Sequence, residues 1–158
     1  MRGVRTRQIN GSFDHGEGNQ LADWEALGLF DTPATDGPGE HEQLAALDDE
    51  SAPLEARVRS YWDVNCASCH HDASPLRSWD ARFSTPLEAQ GVLLVEPRTG
   101  PRPDGVRLIV PGDPEHSLIY LRSGSLEPSL RMPPLLKNRL DQRYVELLRE
   151  WIESLPRQ

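Results

Sequence analysis

The chain has 158 residues, of which 37% are hydrophobic, and its mean hydropathy is −0.59. This length suits one domain with an extension, and the apolar residues are few for a large core, so a disulfide, metal or bound cofactor is expected to complete it. The sequence has no run of about 18 apolar residues, which excludes a membrane-spanning helix. Its formal net charge of −8, without a basic patch, excludes a nucleic-acid-binding surface.

The N-terminal third of the chain is acidic and is predicted to be an extension or linker. Residues 1–52 contain three basic and eleven acidic residues, whereas residues 53–158 contain fourteen of each. The segment Asp31–Gln43 is rich in proline, glycine and acidic residues, a composition typical of linkers. One short helix is expected within the extension, over Asn19–Leu27. The folded domain is therefore expected to occupy residues 53–158.

Three main helices are predicted in that domain. The first covers Pro53–Cys66, where apolar residues recur at helical spacing and Ser51 is in position to cap the N-terminus. The second covers Asp113–Gly124, with aspartate as the cap, proline at the first helical position and glycine at the end. The third follows Asp141 and stops before Pro156, because the residue before proline avoids the helical region. The predicted fold class is all-α, with long irregular loops.

The stretch between the first and second helices has few helical signals. It contains the segments GVLLVEP, at residues 91–97, and GVRLIVP, at residues 105–111. These two segments are predicted to pair as a short hairpin.

The sequence CASCH, Cys66 to His70, contains both cysteines of the chain, three positions apart and followed directly by histidine. At the end of a helix, two thiols at this spacing lie on one side of a turn, where each can add to one of the two vinyl groups of a haem. The histidine after the second cysteine is then held beneath the ring, where its imidazole can bind the iron. The C-x-x-C-H pattern therefore predicts the covalent attachment of one c-type haem.

Three other uses of the two cysteines stay open. A thioredoxin-like redox pair has the same C-x-x-C spacing but belongs beside a βαβ pattern, which the sequence does not show. A zinc site made of Cys66, Cys69 and either His70 or His71 lacks the fourth ligand and the second paired cluster that structural zinc usually has. A disulfide between the cysteines closes too small a loop to stabilise the chain much.

Met132, in the sequence LRMPPLL, is the expected second axial ligand of the iron. Methionine often lies opposite histidine in electron-transfer cytochromes, and the only other methionine of the chain is Met1. Two prolines follow Met132 and stiffen its loop; the alternative role for this side chain is to fill a gap in the core. His71 is too close to His70 to reach the opposite face of the same iron. The remaining histidines are expected at the surface or in the acidic extension: His15, His41 and His116.

These motifs carry a resemblance to a known family. The segment Leu54–Leu155 resembles a class I cytochrome c domain through NCASCH, PGDPEHSLIY, RMPPL and the final amphipathic helix ending in WIESL. It is similar to the haem domains found at the C-terminal ends of larger secreted bacterial proteins. The upstream TRQINGSFDHGEGNQLADWEALGLF is similar to segments seen before such domains. We therefore expect the chain to be a piece of a longer protein, with residues 1–52 as a remnant.

The resemblance implies a cytochrome c-like fold, in which three main helices surround one covalently bound haem and the first and last helices cross near its edge. It implies that Cys66 and Cys69 attach the haem c, that His70 is the proximal ligand and that Met132 is the distal ligand. The metal ligands expected on this basis are His70 and Met132.

Further residues receive expected roles from the same resemblance. The carbonyl of Pro75 is a candidate to orient His70, since partners of this kind fix the imidazole tautomer. Arg82 is a candidate to contact a haem propionate, the alternative being an ordinary surface arginine. Tyr61 and Trp151 are expected to pack where the helices cross, a structural role.

The expected function is one-electron transfer through His/Met-ligated iron, and not enzymatic catalysis. The alternative is a haem enzyme or small-ligand sensor with an open or labile distal position on the iron. The expected partner is a redox protein or a fused dehydrogenase domain. Since this family receives haem outside the cytoplasm, a periplasmic or other extracytoplasmic location is expected, although the N-terminal MRGVRTRQINGSFDHG lacks the apolar region of a signal peptide.

Overall fold

The structure is a computed structural model that describes residues 4–11, 18–32, 37–74, 79–98, 100–135 and 137–157. The chain divides into two compact units, Met1–Ala45 and Ala46–Gln158. Within the described residues, regular secondary structure is helical and no β-strand forms, which confirms the all-α class. In the same residues, no helix has both the length and the apolar character needed to cross a bilayer. The α-helices are α1 (Thr6–Ile9), α2 (Gln20–Ala26), α3 (Leu54–Asn65), α4 (Leu118–Ser123) and α5 (Gln142–Ser154).

The first unit contains α1 and α2 and a short 3₁₀ turn at Pro38–Glu40. Asn19 caps α2, because its side-chain oxygen accepts the backbone N–H of Leu21 at 2.9 Å. The Asn19 amide donates to Asn10 Oδ1, and Asn10 donates in turn to the carbonyl of His41 at 2.8 Å. These bonds tie the loop ends of the unit together. The predicted short helix is thereby confirmed, one residue shorter at each end.

Helix α3 confirms the first predicted helix of the main domain. Val58 and Trp62, one turn apart, are both fully buried and give the helix its inner face. The predicted cap is wrong: Pro53 occupies the N-cap position, and no side chain caps the helix. The Ser51 hydroxyl instead donates to the Asp49 carboxylate at 2.5 Å, within the turn that precedes the helix.

Helix α5 confirms the third predicted helix. The Asp141 carboxylate accepts the backbone N–H of Tyr144 at 3.1 Å, as an N-cap should. Leu155 is extended and precedes Pro156, so the helix ends where the sequence predicts. One face of the helix is buried and consists of Tyr144, Leu147, Leu148, Trp151 and Ile152.

Helices α3 and α5 pack together through aromatic side chains. Trp62 meets Trp151 edge-on, with ring centroids 5.3 Å apart, and Tyr61 stacks on Tyr144 at 3.6 Å. The indole N–H of Trp62 donates to the Tyr144 hydroxyl at 2.8 Å, which satisfies two buried polar groups at once. Tyr61 and Trp151 therefore lie at the helix crossing, as predicted.

The second predicted helix is broken in the structure. Residues Pro114–His116 form a 3₁₀ turn and α4 begins only at Leu118, because Ser117 between them is extended. Ser117 forms an isolated parallel bridge with Arg107, and its hydroxyl accepts the N–H of Val110 at 2.8 Å. These contacts to residues earlier in the chain hold Ser117 out of the helical region, and local sequence signals do not reveal them.

The two apolar segments predicted to form a hairpin do meet, but in parallel. Leu93 and Ile109 form an isolated parallel bridge, with Leu94 N–H donating to Ile109 and Ile109 N–H donating to Val92. The hairpin prediction is therefore wrong. Parallel pairing needs a longer connection than a hairpin turn, and the proline-containing residues 96–106 supply it.

Candidate functional site

The CASCH segment forms a turn directly after α3. The N–H of Cys66 donates to the Trp62 carbonyl at 2.8 Å and closes the last turn of the helix. The Cys66 carbonyl then accepts the N–H groups of Cys69 and His70, at 3.0 and 2.9 Å. Ala67, which is 1% exposed, anchors the turn in the core. The two cysteines and the histidine are thus held in one short hydrogen-bonded segment.

Both cysteines are free thiols and differ in environment. Cys66 is partly buried against the core, whereas Cys69 is exposed. Burial, assisted by the nearby Cys69, raises the pKa of the Cys66 thiol to about 12. The structure shows no disulfide between them, and Cys69 is the more exposed of the two residues.

The His70 side chain packs against the aromatic side chain of Trp79. Its ring stacks on Trp79, with centroids 5.1 Å apart, and Trp79 packs edge-on against Trp62. Burial lowers the pKa of His70, and the positive charge of Arg122 lowers it further. Its Nδ1 is buried and has no hydrogen-bond partner among the described residues. The environment therefore favours the neutral imidazole, which is the form that binds metals.

Trp79 and Ala81 link His70 to the following loop. The N–H of Ala81 donates to the His70 carbonyl at 2.9 Å, and both Trp79 and Ala81 are buried. The role of Trp79 is not predictable from the sequence. An isolated tryptophan nine residues after a histidine gives no signal of stacking, because the pairing depends on how the loop returns to the core.

Met132 lies in a loop that is tied to the end of α4. Its N–H donates to the Arg122 carbonyl at 3.1 Å, and its own carbonyl accepts the Lys137 ammonium at 3.3 Å. The peptide bond between Met132 and Pro133 is cis, and the Met132 side chain is partly buried. The Arg122 residue that accepts the Met132 N–H also carries the positive charge that lowers the pKa of His70.

Arg82 is already bound by two carboxylates. Its guanidinium lies 2.5 Å from Asp80 and 3.0 Å from Asp72, and the hydrogen bonds to these groups raise its pKa. A haem propionate at Arg82 has to compete with both aspartates. Pro75, the other predicted auxiliary residue, lies outside the described residues.

Hydrogen bonds and ion pairs around Asp80 hold the loop at residues 80–85, which follows the CASCH turn. Burial alone would raise the pKa of Asp80, but hydrogen bonds from Arg82 and Thr85 outweigh it, so the pKa is lowered. On the neighbouring helix, Asp63 accepts the N–H of Phe83 at 3.0 Å, and Arg59 donates to the carbonyls of Phe83 and Thr85. The loop at residues 80–85 is therefore held against α3 by charged groups.

The zinc alternative finds no support in the described part of the chain. There, no three histidine, cysteine or acidic side chains come together in a way that could hold a metal ion. In particular, the two cysteines and His70 do not form a preformed three-ligand cluster.

Comparison with models of known protein families, with curated proteins and with solved structures gives no match for this chain.

Proposed function

We propose that this chain contains a mono-haem c-type cytochrome domain, which carries single electrons through iron ligated by His70 and Met132. The observation that carries the proposal is the turn after α3, which presents two free thiols and a partly buried imidazole in one hydrogen-bonded segment. The resemblance of this segment and of the Met132 loop to class I cytochrome c domains supports it.

The residues present fit a covalently attached haem. Thioether bonds require free thiols, and both Cys66 and Cys69 are free. Binding of iron requires a neutral imidazole with an available nitrogen, and burial, together with the positive charge of Arg122, favours the neutral form of His70. When bound, the haem supplies an iron that cycles between the ferrous and ferric states.

The surrounding chain has defined tasks in this proposal. Trp79 holds the His70 ring by stacking, and the crossing of α3 and α5 gives the turn a rigid base. Met132 would complete the coordination, and burial of the site would tune the reduction potential. The Pro75 carbonyl is kept as a candidate to orient His70. Arg82 is the weaker candidate for a propionate, because Asp72 and Asp80 already occupy its donors.

The proposed setting follows from the proposed cofactor. Because haem is attached outside the cytoplasm in the family that the chain resembles, the proposed location is periplasmic or otherwise extracytoplasmic. The proposed partner is a redox protein or a fused dehydrogenase domain that gives or accepts one electron at a time.

Expression of the full chain together with c-type haem maturation machinery tests the proposal. We expect the denatured protein to retain the mass of one haem, since thioether bonds survive unfolding. The variant with both Cys66→Ala and Cys69→Ala is the matched control and should retain none. Absence of added mass on the unaltered chain would refute the proposal.

A second measurement separates a carrier from a haem protein with an open iron site. Met132→Ala removes the proposed distal ligand, and we expect the ferric visible spectrum of the haem-loaded chain to lose its methionine-to-iron absorption. Leu135→Ala, at a position 75% exposed in the same loop, should leave the spectrum unchanged. If both variants keep the original spectrum, Met132 is not the ligand and the carrier function is not supported.

A further inference from the structure

Lys137 is the only lysine of a chain that otherwise uses arginine for its basic side chains. Exposed positions usually accept either lysine or arginine. A single lysine among sixteen arginines therefore directs attention to the contacts of Lys137. Lys137 lies five positions after Met132 and is partly buried.

Within the described part of the chain, the Lys137 ammonium is bound by backbone carbonyls alone. It donates to Ser123 at 2.5 Å, to Arg122 at 3.1 Å and to Met132 at 3.3 Å. An ammonium group has three donors, so these bonds use its full capacity. Among the described residues, no carboxylate forms an ion pair with Lys137; its role in this fold is therefore to bring carbonyl groups together.

The three carbonyls come from two different parts of the chain. Those of Arg122 and Ser123 belong to the last turn of α4, where carbonyl groups have no partner within the helix and a positive charge is favourable. The third belongs to Met132 itself. The ammonium therefore joins the end of α4 to the loop that carries the proposed distal ligand.

The geometry explains why lysine occupies this position. Three carbonyls converging on one point suit a compact ammonium, whose donors point in three directions, whereas the planar guanidinium of arginine suits acceptors lying in one plane. The backbone of Lys137 is fixed as well, because Arg131 donates to its carbonyl at 2.8 Å.

We propose that Lys137 is a positioning residue for Met132. This inference rests on the proposed function in one respect, namely that the Met132 thioether is the distal ligand of the iron. The Met132 loop is held at two points on the end of α4, by the Met132 N–H on the Arg122 carbonyl and by Lys137. When Lys137 is replaced, only the hydrogen bond from the Met132 N–H to the Arg122 carbonyl remains, and the loop then separates from the end of α4 more often.

Amide hydrogen exchange on the full chain tests the proposal without any haem. In Lys137→Leu, which offers neither a donor nor an iron ligand, we expect the Met132 amide to exchange about tenfold faster or more, because the bonds from the charged donor are lost. We expect faster exchange in Lys137→Arg as well, because a planar guanidinium does not match three carbonyls that converge on one point. Arg139→Leu is the matched control: it removes one positive charge from an exposed position two residues away and should leave this amide unchanged. The Leu148 amide in α5 reports that each variant is folded.

Wild-type exchange rates at Met132 in Lys137→Leu would overturn the proposal. Wild-type rates in Lys137→Arg would overturn it too, because charge alone would then suffice. A measurement without variants adds a separate check: acetic anhydride should label Lys137 more slowly in the folded chain than in the urea-unfolded chain. Equal labelling rates would contradict the three carbonyl contacts.

The haem-loaded chain separates this inference from the proposed function. We expect Lys137→Leu to weaken the methionine-to-iron absorption of the ferric protein, whereas Arg139→Leu should retain it. Faster exchange combined with an unchanged absorption would overturn the positioning of the ligand. A chain that takes up no haem refutes the proposed function alone, since exchange and acetylation still report whether Lys137 holds the loop.

Discussion

Asp80 is 3% exposed and interacts with Arg82 and Thr85 next to the proposed haem-binding turn. Because hydrogen bonding to these groups outweighs burial, its pKa lies below the usual aspartate value. A carboxyl group with a lowered pKa in the folded state stabilises the fold above its unfolded pKa of about 4, and this contribution is lost as the pH falls through the folded pKa.

Asp80→Asn should therefore lower the free energy of unfolding at pH 7 by about 1–3 kcal/mol, the usual cost of removing a buried charged acceptor. The difference from the unaltered chain should shrink as the pH falls below about 4, where the aspartate takes up its proton. Urea unfolding between pH 7 and pH 3 measures this, with the exposed Asp104→Asn as control. A difference that stays constant over this range would show that the charge of Asp80 is not responsible.

Single residues differ in how well the sequence reveals them. The pattern CASCH predicts that Cys66, Cys69 and His70 act together, because the spacing is local and the structure keeps them in one turn. Lys137 carries no such signal, because its partners on α4 lie fourteen and fifteen positions earlier in the chain. The three carbonyl contacts of Lys137 form only when the end of α4 and the Met132 loop meet in the folded chain. A short sequence motif therefore does not predict them.

At the scale of elements, the helices with local start and stop signals were predictable. An asparagine or aspartate cap precedes α2 and α5, and a proline ends α5. The break before α4 was not predictable, because Ser117 is held extended by contacts with Arg107 and Val110. The parallel pairing of Leu93 with Ile109 is non-local in the same way, so apolar composition reveals the meeting of the segments but not their direction.

The crossing of α3 and α5 contains a buried hydrogen bond between Trp62 and Tyr144. Tyr144→Phe leaves the indole N–H of Trp62 buried without its acceptor, which should lower the free energy of unfolding by about 1–3 kcal/mol. Tyr120→Phe is the matched control, because that hydroxyl is bound by Arg149 at a more exposed position, and we expect about 1 kcal/mol or less there.

A double-mutant cycle with Trp62→Phe isolates this bond. In the double variant, donor and acceptor are both absent, so the loss should be smaller than the sum of the two single losses. Chemical denaturation of the four proteins measures the coupling. Strict additivity would mean that the hydrogen bond contributes nothing beyond the packing of the rings.

At the scale of the whole molecule, the buried cluster of the main domain is built within residues 46–158. Its buried members run from Val58 to Ile152, and Leu47 packs against it from the N-terminal side. The Leu47 carbonyl also accepts the side-chain Nε–H of Arg57 at 2.8 Å. The composition of the sequence changes near residue 52, but the contacts that support α3 begin earlier, at Leu47.

We therefore expect a chain of residues 46–158 to unfold cooperatively, with a free energy of unfolding above that of a chain of residues 53–158. The shorter chain loses the burial of Leu47, which is worth about 1.5–3 kcal/mol for a fully buried leucine and less for this partly buried one. It also leaves the Arg57 guanidinium without the Leu47 carbonyl as its acceptor. Replacing Leu47 by Ala in the longer chain should reproduce part of the loss, while Glu50→Ala, at an exposed position in the same segment, should not. Parallel urea titrations measure all four proteins. Equal midpoints for the two lengths would mean that residues 46–52 do not contribute to the core, and the domain would then begin at α3.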